Sequence, residues 1–447
     1  MNFECMKQRL IAAAERAGLK EYEIYAMSES NVNAEALRHE ISAFSSGESG
    51  GISFRCIVDG KMGYASSELM TEEQMDALVD RAIDNARNIE NEDEVFIFPG
   101  SAHYEETSSA PVATPEAAVL KNWTMDLQER AYAAHPSVSD GTQTGVMAYS
   151  CDIMLCNSHG LSLSNRVGVC GAYTMAIIRE GDATEDSFEL RVTDDASALD
   201  GLSEKAVEKA RAKLGAGKMP SGKMDCVISG RQMSTLLSAF SPMFSAKMVQ
   251  HGMSTLGGKL GEKIAADCVT ITDDPRRAEC PIQTSFDGEG VATYRKSVIE
   301  GGVLKTYLYD LTTAKKDGVS STGNGQRGSY SSPVSIAPYC FCLEAGKESQ
   351  EELFAKVDNG VYITELKGVH AGANAITGDF SLEAAGFRIR DGKKAEPVKT
   401  FTIAGNFLEL LKAVEEVSDT VDFGFPGGFT AFASADVLLR GMSVAGE

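Results

Sequence analysis

Apolar positions switch between helical and extended spacing along this chain. Phe3, Met6, Leu10, Ile11 and Ala14 recur at helical spacing and predict a first helix that Gly18 is placed to end. Extended segments are expected at 24–27, 32–37 and 41–44. Ile52, Phe54, Cys56 and Val58 then alternate into Asp59-Gly60, a hairpin turn pair from which 62–65 returns. Thr71 through Gln74 reads as a capping box. Behind it Met75, Leu78, Val79, Ala82, Ile83 and Ala86 predict an amphipathic helix.

Residues 88–115 break the pattern: Glu90, Glu92, Asp93 and Glu94 precede a Ser-, Thr- and Pro-rich stretch that reads as a linker. Thr114-Pro115-Glu116 suggests an N-cap followed by a helix through Trp123 and Leu127. A β-meander is expected over 137–189, with turns at 157–160 and 179–182. Ser203 is expected to cap a helix ending at Leu214-Gly215, and 215–223 forms a second boundary. Beyond it the pattern predicts a short strand at 226–229, a helix through Met233, Leu236, Leu237 and Phe240 that Pro242 breaks, and extended runs at 269–271 and 291–294. Hairpins follow at Gly301-Gly302 and Asp391-Gly392. Two helices interrupt them, one capped by Ser349 with Glu352 and one through Phe407, Leu410, Leu411, Val414 and Val417. Hairpin signals outnumber strand–helix–strand units. The expectation is a multi-domain α+β protein, mainly antiparallel sheets with flanking helices, with an N-terminal α/β part and a larger β-rich C-terminal domain. The boundaries are 1–110 for an N-terminal α+β domain, 111–222 for a middle domain of helix plus meander, and 223–447 for the C-terminal domain.

Charge narrows the function. With 42 Lys plus Arg against 64 Asp plus Glu, the formal net charge is −22, which disfavours electrostatic binding of nucleic acid or of an anionic membrane surface. No apolar run approaches the ~20 residues that span a bilayer, and the N-terminus lacks a signal-peptide core, so a cytoplasmic protein is expected. The ten cysteines include no CxxC pair, and Cys340 with Cys342 has no second pair or His cluster nearby.

Three strings copy well-known motifs in the wrong context. GKMPSGKM at 217–224 lacks the Ser or Thr of a P-loop and runs from helix to strand. GNGQRG at 323–328 is followed by Ser and Pro where a dinucleotide fold needs a helix. GESGG at 47–51 lies between strands, without the helix that follows a nucleophile elbow. Nor is there a zincin signature: of His39, His103, His135, His159, His251 and His370, only His39 is followed by Glu, and no second His lies one turn on. What remains are polar, Gly-punctuated loops: SSTGNGQR at 320–327, GVHAGANAITGDFS at 368–381 and DGEG at 287–290. Such loops either line a site or form tight turns bonded to their own backbone. Asn324, Arg327, His370, Asn374 and Asp379 are the candidate peptide-binding residues; no catalytic or metal-ligating residue is assigned.

These segments resemble the TldD/PmbA family, in particular its PmbA (TldE) branch. The resemblance rests on TDDP at 272–275, FDGEGVAT at 286–293, GVLKTYLYD at 302–310, STGNG at 321–325, GANAITGDFS at 372–381 and TIAGN at 402–406. It covers about 226–443 strongly and the first 220 residues more loosely. It implies a two-subunit zinc metalloprotease system acting on unfolded peptides, in which a TldD-type chain supplies a His-Glu-x-x-x-His helix and a Cys ligand and a PmbA/TldE-type chain pairs with it. Here the comparable helix reads SGRQMSTLLSAF at 229–240, without His or Glu, and the loop near His370 has no Cys. The resemblance therefore implies a non-metal subunit: zinc in the TldD-like partner, peptides as substrates, and a homodimer left open for the chain alone. Two other readings stand beside it. One is an independent hydrolase around Asn324, His370 and Asp379; the other is a non-catalytic protein that modulates DNA gyrase by protein–protein contact.

Overall fold

The computed structural model describes residues 3–90, 95–107 and 112–446. In chain order the first half contains α1 (Phe3–Arg16), β1 (Tyr22–Leu37), β2 (Glu40–Val58), β3 (Lys61–Ser67), α2 (Glu72–Asn88), α3 (Ala117–Ala134), β4 (Gln143–Asn157), β5 (Ser162–Glu180), β6 (Ala183–Val192) and α4 (Leu202–Ala212). The strands form one antiparallel sheet in the order β3-β2-β1-β4-β5-β6. The extended runs expected at 24–27 and 32–37 are a single 16-residue strand. The polar residues between them stay extended because β1 is laddered on both sides, Ser30 facing Glu48 on one and Ser150 on the other.

Helices α1 and α2 bury Leu10, Ala14, Met75 and Leu78 against Ile24 and Phe54 of the sheet. Helix α3 buries Leu120 and Leu127 against Val146 and Cys170. The Thr71 hydroxyl accepts the Gln74 N–H at 3.3 Å, one of the two bonds of the expected capping box. Two other expected caps are elsewhere. Glu116, not Thr114, precedes α3, and Gly201, not Ser203, precedes α4. The Ser203 hydroxyl is turned inward and donates to the Leu127 carbonyl, tying α4 to α3.

Of the expected linker, Glu92, Asp93, Glu94 and Pro111 lie outside the described residues, as does the 110/111 boundary. Part of the described stretch is packed: Ile97 is buried, and the Tyr104 hydroxyl donates to the Gly290 carbonyl of the C-terminal half.

That half begins with β7 (Gly222–Ile228) and α5 (Gly230–Phe240), which gives way at Pro242 to a 3₁₀ turn. Its ten-stranded sheet contains the long hairpin Asp379–Arg390/Lys393–Asn406. The last strand, Ala431–Ala445, pairs β7 as well as Lys393–Asn406, so part of the sheet closes on itself. The core gathers Met233, Leu236, Leu237 and Phe240 of α5, with Phe240 stacked on Phe407 at 4.6 Å.

Two expectations fail here. The helix expected through Val417 ends at Lys412, and Val414–Phe423 is a strand, because pairing with Ala431–Ala445 overrides the local helical spacing. Residues 291–294 contribute only an isolated bridge between Ala292 and Phe286. The fold class is as expected: α+β, multi-domain, with mostly antiparallel sheets. No helix among the described residues is long and apolar enough to cross a membrane.

Candidate functional site

The five candidate residues fall into two environments. Asn324 and Arg327 are interior, 0% and 3% exposed. Asn324 donates to Asp273 Oδ2 at 2.7 Å and to the Ala337 carbonyl. The same carboxylate meets Lys296 Nζ at 3.0 Å, and its other oxygen accepts the Tyr339 and Cys340 N–H groups. Arg327 donates to Glu23 Oε1 of β1 at 2.6 Å, and Arg55 of β2 takes Glu23 Oε2 at 2.8 Å. This ion-pair group joins the two halves of the molecule. Asp287 accepts N–H groups from Glu289, Val291 and Gly325, and Glu289 accepts that of Leu311. Burial raises both carboxyls above the ordinary range, and for Glu289 the neighbouring Asp287 charge adds to it.

The DGEG and GNGQRG loops therefore bond to each other and to the sheet. At Gly288 a Cβ would stand 3.0 Å from the Gly325 carbonyl oxygen, so the loops touch backbone to backbone and leave no phosphate cradle.

His370, Asn374 and Asp379 are exposed. Asn374 and Asp379 stabilise their own turn. The Asn374 side-chain oxygen accepts the Ile376 and Thr377 N–H groups, and Asn406 donates to Asp379 at 3.0 Å. The Asn406 bond, then the Thr377 hydroxyl, lower the Asp379 pKa. Asn324, His370 and Asp379 do not share a site: one is interior, and another is engaged in a turn.

His370 alone of the five lines an open groove of about 710 Å³. Its wall is α5, whose apolar side faces the core and whose other side presents Arg231, Thr235 and Ser238. Gly230 sets the helix in place: its N–H donates to Asp436 at 2.7 Å, and a Cβ there would come within 2.2 Å of the Ser434 carbonyl oxygen. Gln232 accepts the Leu366 N–H at 3.0 Å, locking α5 to strand Gly360–Lys367. Phe188 and Leu190 of β6 close the groove from the N-terminal sheet, with Phe425 beside them. Sequence reading missed Arg231, Phe188 and Phe425. The polar stripe Arg231, Thr235, Ser238 at helical spacing was visible in the string; no local signal marked the two rings.

A catalytic zinc needs three protein ligands and an open position. The groove offers one imidazole, and α5 has no His, Glu or Cys. Among the described residues no three His, Cys, Asp or Glu side chains converge to hold a metal. The donor set present does not fit the ion.

Comparison with known proteins adds ancestry to this geometry. Residues 221–446 match the PmbA/TldA metallopeptidase C-terminal domain, 22–86 its domain 1 and 111–214 its central domain. An uncharacterized protein of Methanocaldococcus jannaschii is 30% identical over 93% of this chain and 96% of its own length. A Thermotoga maritima structure described as a candidate modulator of a DNA gyrase superposes with a TM-score of 0.89 at 29% identity, covering 99% of this chain and 100% of that one. TldE from Thermococcus kodakarensis gives 0.88 at 25% identity over 98% and 100%.

Proposed function

The chain belongs to the PmbA/TldD metallopeptidase-like family, and we propose that within it this is a TldE-type, non-metal subunit. On this reading it works in the cytoplasm, pairs with a TldD-like chain, and forms one wall of a peptide-holding cavity while the partner carries the catalytic zinc. One observation supports the assignment above the others. The groove-lining helix α5 carries Arg231, Gln232, Ser234, Thr235 and Ser238, and of the facing segment's lining residues only His370 could ligate a metal. A hydrolytic zinc site needs two or three further ligands and a general base there. The peptide-binding part of the proposal now rests on His370 and the α5 face, with Asn374 and Asp379 shaping the adjacent turn. Arg327 serves by holding the two halves together through Glu23, and Asn324 by bracing Asp273 and the Ala337 carbonyl inside the C-terminal half. The net charge of −22 favours protein or peptide partners over DNA.

The test is zinc content and peptide cleavage of the purified chain, alone and mixed with a TldD-like chain. The expected result is no stoichiometric zinc and no cleavage alone, and cleavage on mixing. Stoichiometric zinc with cleavage by the lone chain would overturn the assignment.

A further inference from the structure

The groove has a charge character opposite to that of the chain. Among the described residues its only ionisable linings are Arg231 and His370, with no carboxylate, in a protein of net charge −22. Neighbouring lysines are engaged: Lys205 and Lys209 meet Glu189, Lys213 meets Glu365 at 2.8 Å, and Lys394 lies over the Phe387 ring. Arg231 is different. Among the described residues its guanidinium has neither an ion pair nor a hydrogen bond; only its carbonyl is used, by the Ser234 and Thr235 hydroxyls. Asp186 and Asp422 line the adjoining hollow that Arg231 also borders, not this groove.

Beside that cation stand two large exposed rings, Phe188 at 48% and Phe425 at 39%. Both are held in place. Phe188 stacks on Tyr173 at 5.5 Å. Phe425 lies over Gly171, where a Cβ would come within 2.9 Å of the ring. Rings fixed before binding lose little entropy on contact. Leu366, Val369 and Phe432 continue the apolar lining. A volume of about 710 Å³ is in the range of small-ligand pockets and admits a short peptide segment rather than a folded domain.

We propose that this groove binds the C-terminal end of a peptide, with Arg231 pairing the terminal carboxylate and Phe188 and Phe425 holding an apolar side chain beside it. The inference rests on the peptide reading above and deepens it by naming the recognised end. Guanidinium and carboxylate match in shape as well as charge, so the pair distinguishes an acid from an amide.

The experiment uses the purified chain without partner or metal. Fluorescence anisotropy is read for N-terminally labelled tetrapeptides ending in Leu-Phe, in three forms: free acid, carboxamide, and carboxamide carrying an internal Glu. The free acid is expected to bind about tenfold tighter than either amide. Arg231→Gln should bring the acid down to the amide, Arg231→Lys should keep part of the preference, and Phe425→Ala should weaken all three forms. Circular dichroism verifies folding of each variant. Equal binding of acid and amide, a preference that survives Arg231→Gln, an internal Glu that matches the free acid, or no binding of any form would overturn the proposal. None of these readouts depends on zinc or on a partner, so their failure is distinct from failure of the subunit assignment.

Discussion

The buried ion-pair group around Asp273, Asp287 and Glu23 and the open groove along α5 are built from the same residue types for opposite ends. In the interior every carboxylate has a partner: Asp273 has Lys296, Asn324 and two backbone N–H groups, and Glu23 has Arg55 and Arg327. In the groove Arg231 has none among the described residues. A buried charge without a partner is expensive, so pairing in the interior is compulsory and says nothing about ligands. A half-exposed cation at a groove wall costs far less than a buried one, and its availability is informative where nearby cations are already engaged. The three polar loops of the last third, similar as strings, sort by this criterion into two that build the molecule and one that borders a cavity.

The sharpest way to break the contrast is to remove an interior partner. Asp273→Ala strands Lys296, Asn324 and two N–H groups in a buried site and is expected to cost about 3–5 kcal/mol. Urea denaturation measures it; a loss below about 1 kcal/mol would mean the interior charges are not the obligate network described here. Gly230→Ala, on the boundary between the regions, drives a Cβ to 2.2 Å from the Ser434 carbonyl oxygen. A cost of about 1–3 kcal/mol is expected from the shift of α5, and intact stability would show that the helix seat is looser than its contacts imply.

Acidity gives a third, smaller handle. Burial and then Asp287 raise the Glu289 carboxyl from the ordinary 4.5 to about 8. Because the folded-state value is the higher one, the folded protein holds this proton longer than the unfolded chain does. The contribution is fully present below about 4.5 and is lost as pH rises through about 8. Glu289→Gln keeps an acceptor for the Leu311 N–H and removes the titration. Relative to that variant, the parent chain should lose stability as pH rises between those limits. Parallel stability–pH curves for the two would refute the raised carboxyl.

Much of the fold was legible because hairpins leave local marks. Asp59-Gly60 and Asp391-Gly392 are turn pairs with both residues at positive φ, and the Ser349–Glu352 box closes reciprocally, side chain to backbone at both ends. What failed was set by distant pairing. Val414 and Val417 sit at helical spacing behind Phe407, yet a later strand decides their conformation, since its ladder with Leu439 and Val437 outweighs a weak local preference. The site was legible in part for the same reason. His370 was marked by its loop, whereas Phe188 and Phe425 come from β6 and from the loop after Val414–Phe423, and only the packed molecule brings them to α5. Asn324 and Arg327 looked like binding groups because a string of polar residues between glycines carries no record of its burial.

The smallest expected stability effect is the most diagnostic for the groove. Arg231→Gln removes a guanidinium that touches no acid among the described residues, and His370→Ala removes an exposed ring from a one-turn helix. Neither change opens a core cavity or strands a buried partner, so each should alter stability by no more than about 0.5 kcal/mol. The comparison with Asp273→Ala is then about an order of magnitude in free energy for changes of similar chemical size. A near-neutral Arg231 means that its charge is not spent on the fold and stays available to a ligand. A cost of 2 kcal/mol or more, on the order of a broken buried hydrogen bond to charge, would place Arg231 with the interior group after all and remove the ground for reading the groove as a binding surface.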